Sequence, residues 1–171
     1  MKYKLTDETM TTESGVLLHR IECVKSFGNV RAGDVGGWIE REENLSKCGD
    51  CWVYDNARVY GNARVHDNAW VSGDARVSCD AEVYGNAWVS GDAVICNSND
   101  YIVFKNNWSS FRYFTWTRSN DMWRVGCFYG TGKDLIEKAY KDSKLIGDCY
   151  KAYVELVDKL KDVFEQEQQK Q

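Results

Sequence analysis

The sequence has few histidines, no excess of basic residues and no long apolar run. Only two of its 171 residues are histidine, and its formal net charge is -4. Because the chain as a whole has no positive field, we expect neither general DNA binding nor adsorption to anionic lipid. No stretch of about 18 apolar residues and no apolar N-terminal segment occurs, so we expect no membrane span and no secretion signal. These absences favour a cytoplasmic protein.

The seven cysteines are scattered through the chain and make a poor disulfide framework, which fits a reducing compartment. Cys48 and Cys51 form one CxxC, but neither a second pair nor a nearby histidine accompanies it. We therefore expect no metal site and interpret these cysteines as small core-filling side chains. With 43% hydrophobic residues, a chain of this length can bury the core of one ordinary domain.

A six-residue repeat runs through residues 49–96. Each of its eight units holds a turn pair, a small residue, a variable residue, an aliphatic residue and a second variable residue. The small positions are Cys51, Ala57, Ala63, Ala69, Ala75, Ala81, Ala87 and Ala93. The aliphatic positions are Val53, Val59, Val65, Val71, Val77, Val83, Val89 and Ile95. Residues two apart share one face of an extended strand, so both kinds of side chain point inward, and a period of six does not fit a helix.

Tryptophan indicates how many strands make one coil. Trp52, Trp70 and Trp88 are eighteen residues apart, which is three units. A three-sided coil places these rings directly above one another at the strand spacing of about 4.8 Å. The turn pairs contain mostly Gly, Asn and Asp, which tolerate left-handed backbone angles. Cys79 is the exception, so we expect its corner to be the most strained.

This repeat resembles the hexapeptide-repeat family of left-handed parallel β-helices. The resemblance covers all eight units, and it implies the left hand of the coil. The segment before the repeat, from "KYKLTDET" to "RIECVKSFGNVRAGDVGGWIEREENLS", is similar to small phage and prophage proteins of poorly defined function.

The flanks of the repeat predict two further regions. Residues 1–48 contain alternating and turn-rich segments and are expected to form an N-terminal hairpin or cap. Residues 97–171 predict an α+β module with three strands ("YIVFKNNW", "FRYFTWTR" and "MWRVGCFY") and two helices, near 132–143 and 148–166. The predicted fold is thus mainly β, a short left-handed parallel β-helix (triangular solenoid) at 49–96 with an α+β C-terminal module.

Two segments raise the question of catalysis. Hexapeptide-repeat proteins are often trimeric acyltransferases with a histidine base and an acyl-CoA along the coils, and His66 is the histidine inside this repeat. No long loop interrupts the coils to shape an acceptor site, so a solvated surface role for His66 is favoured over general base catalysis. The segment "GCFYGTGKD" departs from the phosphate-binding pattern GxxxxGK[ST] at Cys127 and Asp134, and we interpret it as a turn before a helix capped by Thr131.

Arginines and aromatic rings are concentrated between Tyr101 and Tyr129. If the hairpin turn takes residues 119–121, one face of the hairpin holds Arg112, Phe114, Trp116, Arg118, Arg124 and Phe128. Such a face suits a nucleotide or an acidic protein surface, because arginine pairs with phosphate and flat rings stack on bases. A packing face, with the rings capping the solenoid, is an equally good interpretation.

The tryptophans of the repeat form a second candidate binding surface. Trp52, Trp70 and Trp88 are expected to point outward, with Arg58 and Arg76 stacked on the next face. Three adjacent indoles seldom stay bare on a monomer, so the chain's own C-terminal helices, a second subunit or a foreign partner should cover them. Self-association as a homo-oligomer, a dimer or trimer, is favoured.

The spacing of the candidate residues does not indicate any combination of acid, base, nucleophile and metal ligand. No catalytic residue, metal or cofactor is therefore predicted. The pattern and the phage resemblance favour a non-enzymatic interaction protein in the cytoplasm, that of the host if the protein is phage-encoded. It would antagonise a host process such as antiviral defence by binding a host protein or sequestering a small nucleotide. The alternatives are a hexapeptide-repeat acyltransferase and a structural or scaffold component.

Overall fold

Three strands form the N-terminal end of the protein. The computed structural model describes residues 1–169, and these strands are Tyr3–Thr11 (β1), Leu17–Cys23 (β2) and Val35–Ile39 (β3). β1 and β2 form an antiparallel hairpin, and β2 is antiparallel to β3. β3 pairs in parallel with a strand of the repeat, where Trp38 lies opposite Arg58. The N-terminal strands therefore extend one face of the solenoid.

Eight strands of two residues each make up the repeat. They are Trp52–Val53 (β4), Arg58–Val59 (β5), Arg64–Val65 (β6), Trp70–Val71 (β7), Arg76–Val77 (β8), Glu82–Val83 (β9), Trp88–Val89 (β10) and Val94–Ile95 (β11). Strands eighteen residues apart pair in parallel. β4, β7 and β10 form the tryptophan face, β5, β8 and β11 the arginine face, and β6 and β9 the third face. The predicted short β-helix with three sides per coil is confirmed.

The interior of the prism is filled by the small and aliphatic positions of the repeat. Every one of these side chains is at most 1% exposed. Because successive residues of a strand point to opposite sides, the variable residue between them faces outward. The alternation in the sequence is thus sufficient to define the core of the solenoid.

Each corner of the prism begins with a residue in the left-handed backbone region. These residues are Gly49, Asp55, Gly61, Asp67, Gly73, Cys79, Gly85 and Gly91. The carboxylates of Asp55 and Asp67 accept the backbone N–H of Gly73 and Gly85, each one coil later, at 3.1 Å. Cys79, with φ +59°, has no carboxylate for such a bond, so its strained backbone lacks this compensation.

A four-stranded antiparallel sheet and two helices follow the third coil. The strands are Tyr101–Lys105 (β12), Tyr113–Thr117 (β13), Met122–Val125 (β14) and Phe128–Gly130 (β15), in that order across the sheet. The helices are Gly132–Asp142 (α1) and Lys144–Gln168 (α2). Short 3-10 turns at Glu42–Asn44 and Ser98–Asp100 lie on either side of the repeat. The structure has four strands here rather than the predicted three, because the chain reverses at 126–127 and divides "MWRVGCFY" into β14 and β15.

The start of α1 is a capped turn, as predicted. Thr131 Oγ1 accepts the backbone N–H of Asp134 at 3.2 Å and donates to its carboxylate at 2.7 Å. This arrangement is a capping box. Its acidic residue, Asp134, stands where the phosphate-binding pattern has a Ser or Thr hydroxyl. α2 begins earlier than predicted because Ser143 caps it through the N–H of Ile146.

The open edge of the third coil is closed by side chains of the following segment. The backbone N–H of Trp88 donates to Thr115 Oγ1 at 2.9 Å, and that of Val94 donates to Ser119 Oγ at 2.8 Å. The Asp100 carboxylate accepts the N–H of Cys96 at 2.7 Å. In a longer solenoid, carbonyl groups of a fourth coil would accept hydrogen bonds from these main-chain N–H groups. Here side-chain oxygens accept them instead.

Lys2 and Tyr3 close the opposite end. The buried ammonium of Lys2 donates to the carbonyl oxygen of Cys51 at 2.7 Å, and the hydroxyl of Tyr3 donates to that of Leu45 at 2.7 Å. Desolvation by burial raises the pKa of Tyr3, with the nearby Glu42 carboxylate adding to the shift. Both ends of the prism are therefore sealed by groups from outside the repeat.

We expect Gly49→Ala to destabilise the protein far more than Gly85→Ala. Both glycines have φ near +68° (+69° and +67°), so an alanine at either site meets the same backbone penalty of about 1–2 kcal/mol. A Cβ at position 49 would also overlap the main-chain carbonyl oxygen of Asp67, whereas the space around position 85 is open. We expect a loss of about 3 kcal/mol or more for Gly49→Ala.

Urea unfolding followed by circular dichroism measures both free energies. Gly85→Ala is the matched control, since it differs from Gly49→Ala only in the clash. Equal losses in the two variants would show that the coils are not stacked in the register described.

Candidate functional site

The three repeat tryptophans lie in register but differ in exposure. Trp88 is opposite Trp70, and Trp70 is opposite Trp52. Trp52 is only 1% exposed, because Tyr3 and Phe27 pack edge-on against its ring with centroids at 6.2 and 5.6 Å. The expectation that Trp52 belongs to an exposed binding surface is therefore wrong, since the N-terminal segment covers it.

Trp70 and Trp88 remain half-buried at the upper part of the tryptophan face. Their ring centroids are 4.9 Å apart with an interplanar angle of 76°, so the rings meet edge to face instead of stacking flat. The indole N–H of Trp88 donates to Ser72 Oγ at 3.0 Å, and that of Trp70 donates to the carbonyl oxygen of Asp50 at 3.1 Å. Both rings are thus fixed in place by bonds toward the preceding coil.

The C-terminal sheet, and not the C-terminal helices, overhangs these two rings. Thr115 of β13 bonds to the backbone of Trp88, and the hydroxyl of Tyr129 in β15 lies 3.4 Å from the carbonyl oxygen of Ser90. The helices pack on the opposite side of the sheet, where they bury Phe114, Trp123 and Val125. The sheet therefore has one face toward the solenoid and one toward the helices.

The register of the β13–β14 hairpin differs from the predicted one. Thr117 pairs with Met122, which leaves a loop of residues 118–121 instead of 119–121. Because a slip of one residue moves every side chain of a strand to the other face, Arg124 lies opposite Thr115 and not opposite Trp116. The prediction that Arg112, Phe114, Trp116, Arg118, Arg124 and Phe128 share one face is wrong for this reason.

Trp116 and Arg118 lie away from the solenoid. Trp116 is 3% exposed and donates its indole N–H to the Asp121 carboxylate at 2.8 Å. The guanidinium of Arg118 lies 4.3 Å from the ring centre of Phe164 in α2. These two residues therefore belong to the packing between the sheet and α2.

Arg124 is the arginine that the structure brings to the tryptophan face. Its guanidinium carbon lies 3.6 Å from the ring centre of Trp88. Its Nε is buried and has no hydrogen-bond partner within residues 1–169. Desolvation by burial lowers the pKa of Arg124. Arg124 as a whole is half-buried, and no carboxylate pairs with it among residues 1–169. An anionic ligand in contact with its guanidinium would therefore gain a charge-assisted hydrogen bond.

Two clefts open on either side of Arg124. The first has a volume of about 260 Å³ and is lined by Asn68, Trp70, Asn86, Trp88, Arg112 and Arg124, among others. The second, of about 460 Å³, is lined by Tyr54, Trp70, Ser72, Trp88, Arg124 and Tyr129, among others. Trp70, Trp88 and Arg124 contribute to both. We call the first the arginine cleft.

Arg58 and Arg76 lie apart from this cleft. They are in register on the arginine face, above Trp38 of β3. Arg76 is exposed and Arg58 is half-buried. The predicted binding residues therefore occupy four separate places: the core, the tryptophan face with its cleft, the arginine face and the side of the sheet that packs on α2.

His66 forms a pair with its neighbour that sequence reasoning missed. Its Nδ1 lies 3.3 Å from Asp67 Oδ1, and its ring stacks on Tyr84 one coil later at 5.4 Å with an interplanar angle of 6°. The close contact with the His66 ring and the hydrogen bond from the N–H of Gly85 hold the pKa of Asp67 below its usual range. Among the described residues, none hydrogen-bonds to His66 Nε2. The adjacency of histidine and aspartate in "HDN" was the available signal.

The His66–Asp67 pair and the arginine cleft share one corner of the prism. Asn68 and Asn86 line the cleft. Asn68 lies two residues after His66, and Asn86 lies two residues after Tyr84, whose ring stacks on that of His66. The corner therefore has an oriented imidazole on one side and a cleft with two arginines on the other.

The structure contains neither a metal-binding cluster nor a membrane-spanning helix in the part of the chain that it describes. No group of three or more His, Cys, Asp or Glu side chains in residues 1–169 could hold a metal ion. Neither α1 nor α2, the helices of these residues, is long and apolar enough to cross a membrane.

Comparison with known proteins places the similarity in the solenoid. A family model described as YdcK Beta solenoid repeat matches residues 53–67 and 57–73. Over 80 residues the chain is 39% identical to the Escherichia coli (strain K12) protein named "Uncharacterized acetyltransferase YdcK", a match that covers 42% of this chain and 24% of that protein. The chain thus spans about a quarter of the length of this relative. With the observed coils, these matches confirm a β-helix of the hexapeptide-repeat kind.

The expected function is corrected by the same comparison. The sequence favours a non-enzymatic interaction protein that antagonises a host process, but the similar protein is named as an enzyme. This finding supports the acyltransferase alternative, and no finding supports a phage origin or a role against host defence.

We expect Trp52→Ala to cost about 3–5 kcal/mol of unfolding free energy. The ring of Trp52 is enclosed by Tyr3 and Phe27, and its loss leaves a cavity at the base of the prism. Trp70→Ala is the control from the same column of rings, and it should cost about 1–2 kcal/mol because that ring is half-buried. Urea unfolding followed by circular dichroism compares the two. A cost for Trp52→Ala no larger than that for Trp70→Ala would contradict the packing described for the N-terminal segment.

Proposed function

We propose that this chain is an acyltransferase of the hexapeptide-repeat type with His66 as its general base. The observation on which the proposal rests is the pair of His66 and Asp67, because an imidazole held through Nδ1 keeps Nε2 for proton transfer. The 39% identical relative, whose name contains acetyltransferase, supports this assignment. The acyl donor in the proposal is an acetyl thioester of coenzyme A.

The chemistry requires one proton acceptor near the reacting atoms. The lone pair of an acceptor hydroxyl or amine attacks the thioester carbonyl carbon, and His66 Nε2 takes the proton that the acceptor loses. The new C–O or C–N bond forms, the C–S bond breaks, and the imidazolium returns the proton to the departing thiolate. The Asp67 carboxylate stabilises the imidazolium between these steps.

The arginine cleft suits the phosphorylated, aromatic half of this donor. Trp70 and Trp88 offer ring faces and edges to an adenine, and Arg112 and Arg124 offer donors to its phosphates. Arg124 forms no ion pair within the described residues and has an unpartnered Nε, so a phosphate would supply the anion that it lacks. In this proposal the donor and the base lie on adjacent surfaces, since the cleft and His66 share one corner of the prism.

A homo-oligomer is part of this proposal. Arg64 and Glu82 on the third face are exposed, and Tyr84 beside His66 is 50% exposed. A second copy of the chain against this face would exclude water from His66 and complete the acceptor site. Native mass spectrometry with and without acetyl-CoA measures the number of copies.

His66→Ala should lower acetyl transfer by about 100-fold or more, because general base catalysis contributes roughly that factor. The purified protein is incubated with acetyl-CoA and a set of amine and hydroxyl acceptors, and free CoA is quantified by liquid chromatography with mass spectrometry. Thiol reagents are avoided because exposed cysteines of the protein would react with them. His19→Ala is the control, since His19 lies in β2 outside the repeat. Turnover that is unchanged in His66→Ala, or absent in the unaltered protein with every acceptor, would reject the proposal.

Arg124→Met should weaken acetyl-CoA binding by about tenfold, since a charge-assisted bond to phosphate is lost while the apolar stem over Trp88 is kept. Isothermal titration calorimetry measures the affinity at fixed ionic strength. Arg76→Met removes an exposed arginine from the arginine face and serves as the matched control. Equal weakening in both variants would indicate a non-specific charge effect and remove the cleft from the proposal.

A further inference from the structure

Two thiols lie in contact at one corner of the solenoid. The Sγ atoms of Cys79 and Cys96 are 2.9 Å apart, and Ser78 Oγ lies 3.4 Å from the sulfur of Cys96. Cys79 is exposed and Cys96 is half-buried. Within residues 1–169, no other two thiols form a hydrogen bond with each other. The pair is thus distinct among the seven cysteines of the chain.

The coil register places the two backbones at a separation that suits a disulfide. Val77 is opposite Ile95 in the parallel pairing of β8 and β11, and the N–H of Ser78 donates to the carbonyl oxygen of Ile95 at 2.9 Å. The residue opposite Cys96 in this register is Ser78, so Cys79 is the diagonal neighbour of Cys96 on coils that stack at about 4.8 Å. One stacking step and one residue along the strand together separate their Cα atoms by about 6 Å. A disulfide needs Cα atoms about 4.4–6.8 Å apart, so this diagonal position suits the bond.

Cys79 occupies a corner position at which the other units of the repeat have glycine or aspartate. At the corners of Asp55 and Asp67, a carboxylate bonds to the next coil. At Cys79 the contact to the next coil is the sulfur of Cys96. A covalent bond between these sulfurs would connect the Cys79 corner to the next coil. The carboxylates of Asp55 and Asp67 make the corresponding connection at their own corners.

We propose that Cys79 and Cys96 are an oxidation site that forms an intramolecular disulfide on reaction with a peroxide. The exposed Cys79 attacks the peroxide as its thiolate, the O–O bond breaks, and a sulfenic acid forms on Cys79 with release of one water. The sulfur of Cys96 then attacks that of Cys79, the S–S bond forms as the S–O bond breaks, and a second water leaves. Two thiols and one hydrogen peroxide give one disulfide and two waters.

The disulfide closes a loop that contains most of the third coil. The segment between the two cysteines includes β9, β10 and β11, and therefore Trp88 of the arginine cleft. Crosslinking removes conformational freedom from the unfolded chain, so the oxidised protein should unfold at a higher temperature. We expect an increase in Tm of about 5 °C or more.

Mass spectrometry of the full-length protein tests the bond directly. The reduced protein is treated with hydrogen peroxide, alkylated under denaturing conditions and cut with trypsin. Both cysteines lie in one tryptic peptide, residues 77–105, because no Lys or Arg occurs between Arg76 and Lys105. We expect this peptide to escape alkylation and to weigh about 2 Da less than its reduced form. Further cleavage after Glu82 should leave two pieces that separate only after reduction.

Three variants provide the controls. Cys96→Ser should abolish the crosslink and the Tm increase. Cys79→Asn should do the same while keeping a residue that tolerates φ > 0, so its unoxidised Tm should match or exceed that of the reduced parent. Cys127→Ser removes another exposed thiol and should behave like the parent. The proposal is overturned if Cys79 proceeds to a sulfinic acid with Cys96 still alkylated, if Cys79 crosslinks two copies of the chain, or if neither thiol is protected.

Discussion

The vertical register of the corners is the constraint on which the rest of this protein depends. The first residue of every corner has left-handed backbone, and Asp55 and Asp67 bond to the corner one coil later. The coils are thereby held parallel, so a residue type repeated every eighteen positions becomes a column on the surface. The tryptophan column, the stack of His66 on Tyr84 and the contact of two sulfurs all follow from this register.

The solenoid could be predicted because each of its signals is local and repeated. Small and β-branched residues at fixed positions define the inner face, and tryptophan at every eighteenth residue defines the number of sides. What covers those tryptophans could not be predicted, because it depends on contacts between distant segments. Trp52 meets Tyr3 and Phe27, whereas Trp88 meets Arg124. One column of identical residues thus divides into core and cleft.

The C-terminal sheet shows why the site was harder to predict than the fold. The loop between β13 and β14 fits three or four residues equally well on sequence, and only the latter places Arg124 toward the solenoid. Trp116 and Arg118 are then directed to α2. The sequence also does not reveal the contact of Asp67 with His66. An aspartate in a turn pair is explained by its tolerance of left-handed backbone angles alone. The Asp67 carboxylate in fact contacts both the next coil and the imidazole of His66.

The hydroxyl groups of Thr115 and Ser119 have an effect beyond the stability of one molecule. Stacked coils present the same unpaired main-chain groups at their ends as the growing tip of a cross-β fibril. In this protein the donors of Trp88 and Val94 are occupied by side chains, which a strand from a neighbouring molecule cannot easily displace. These two bonds therefore oppose the addition of a further strand at this end of the prism.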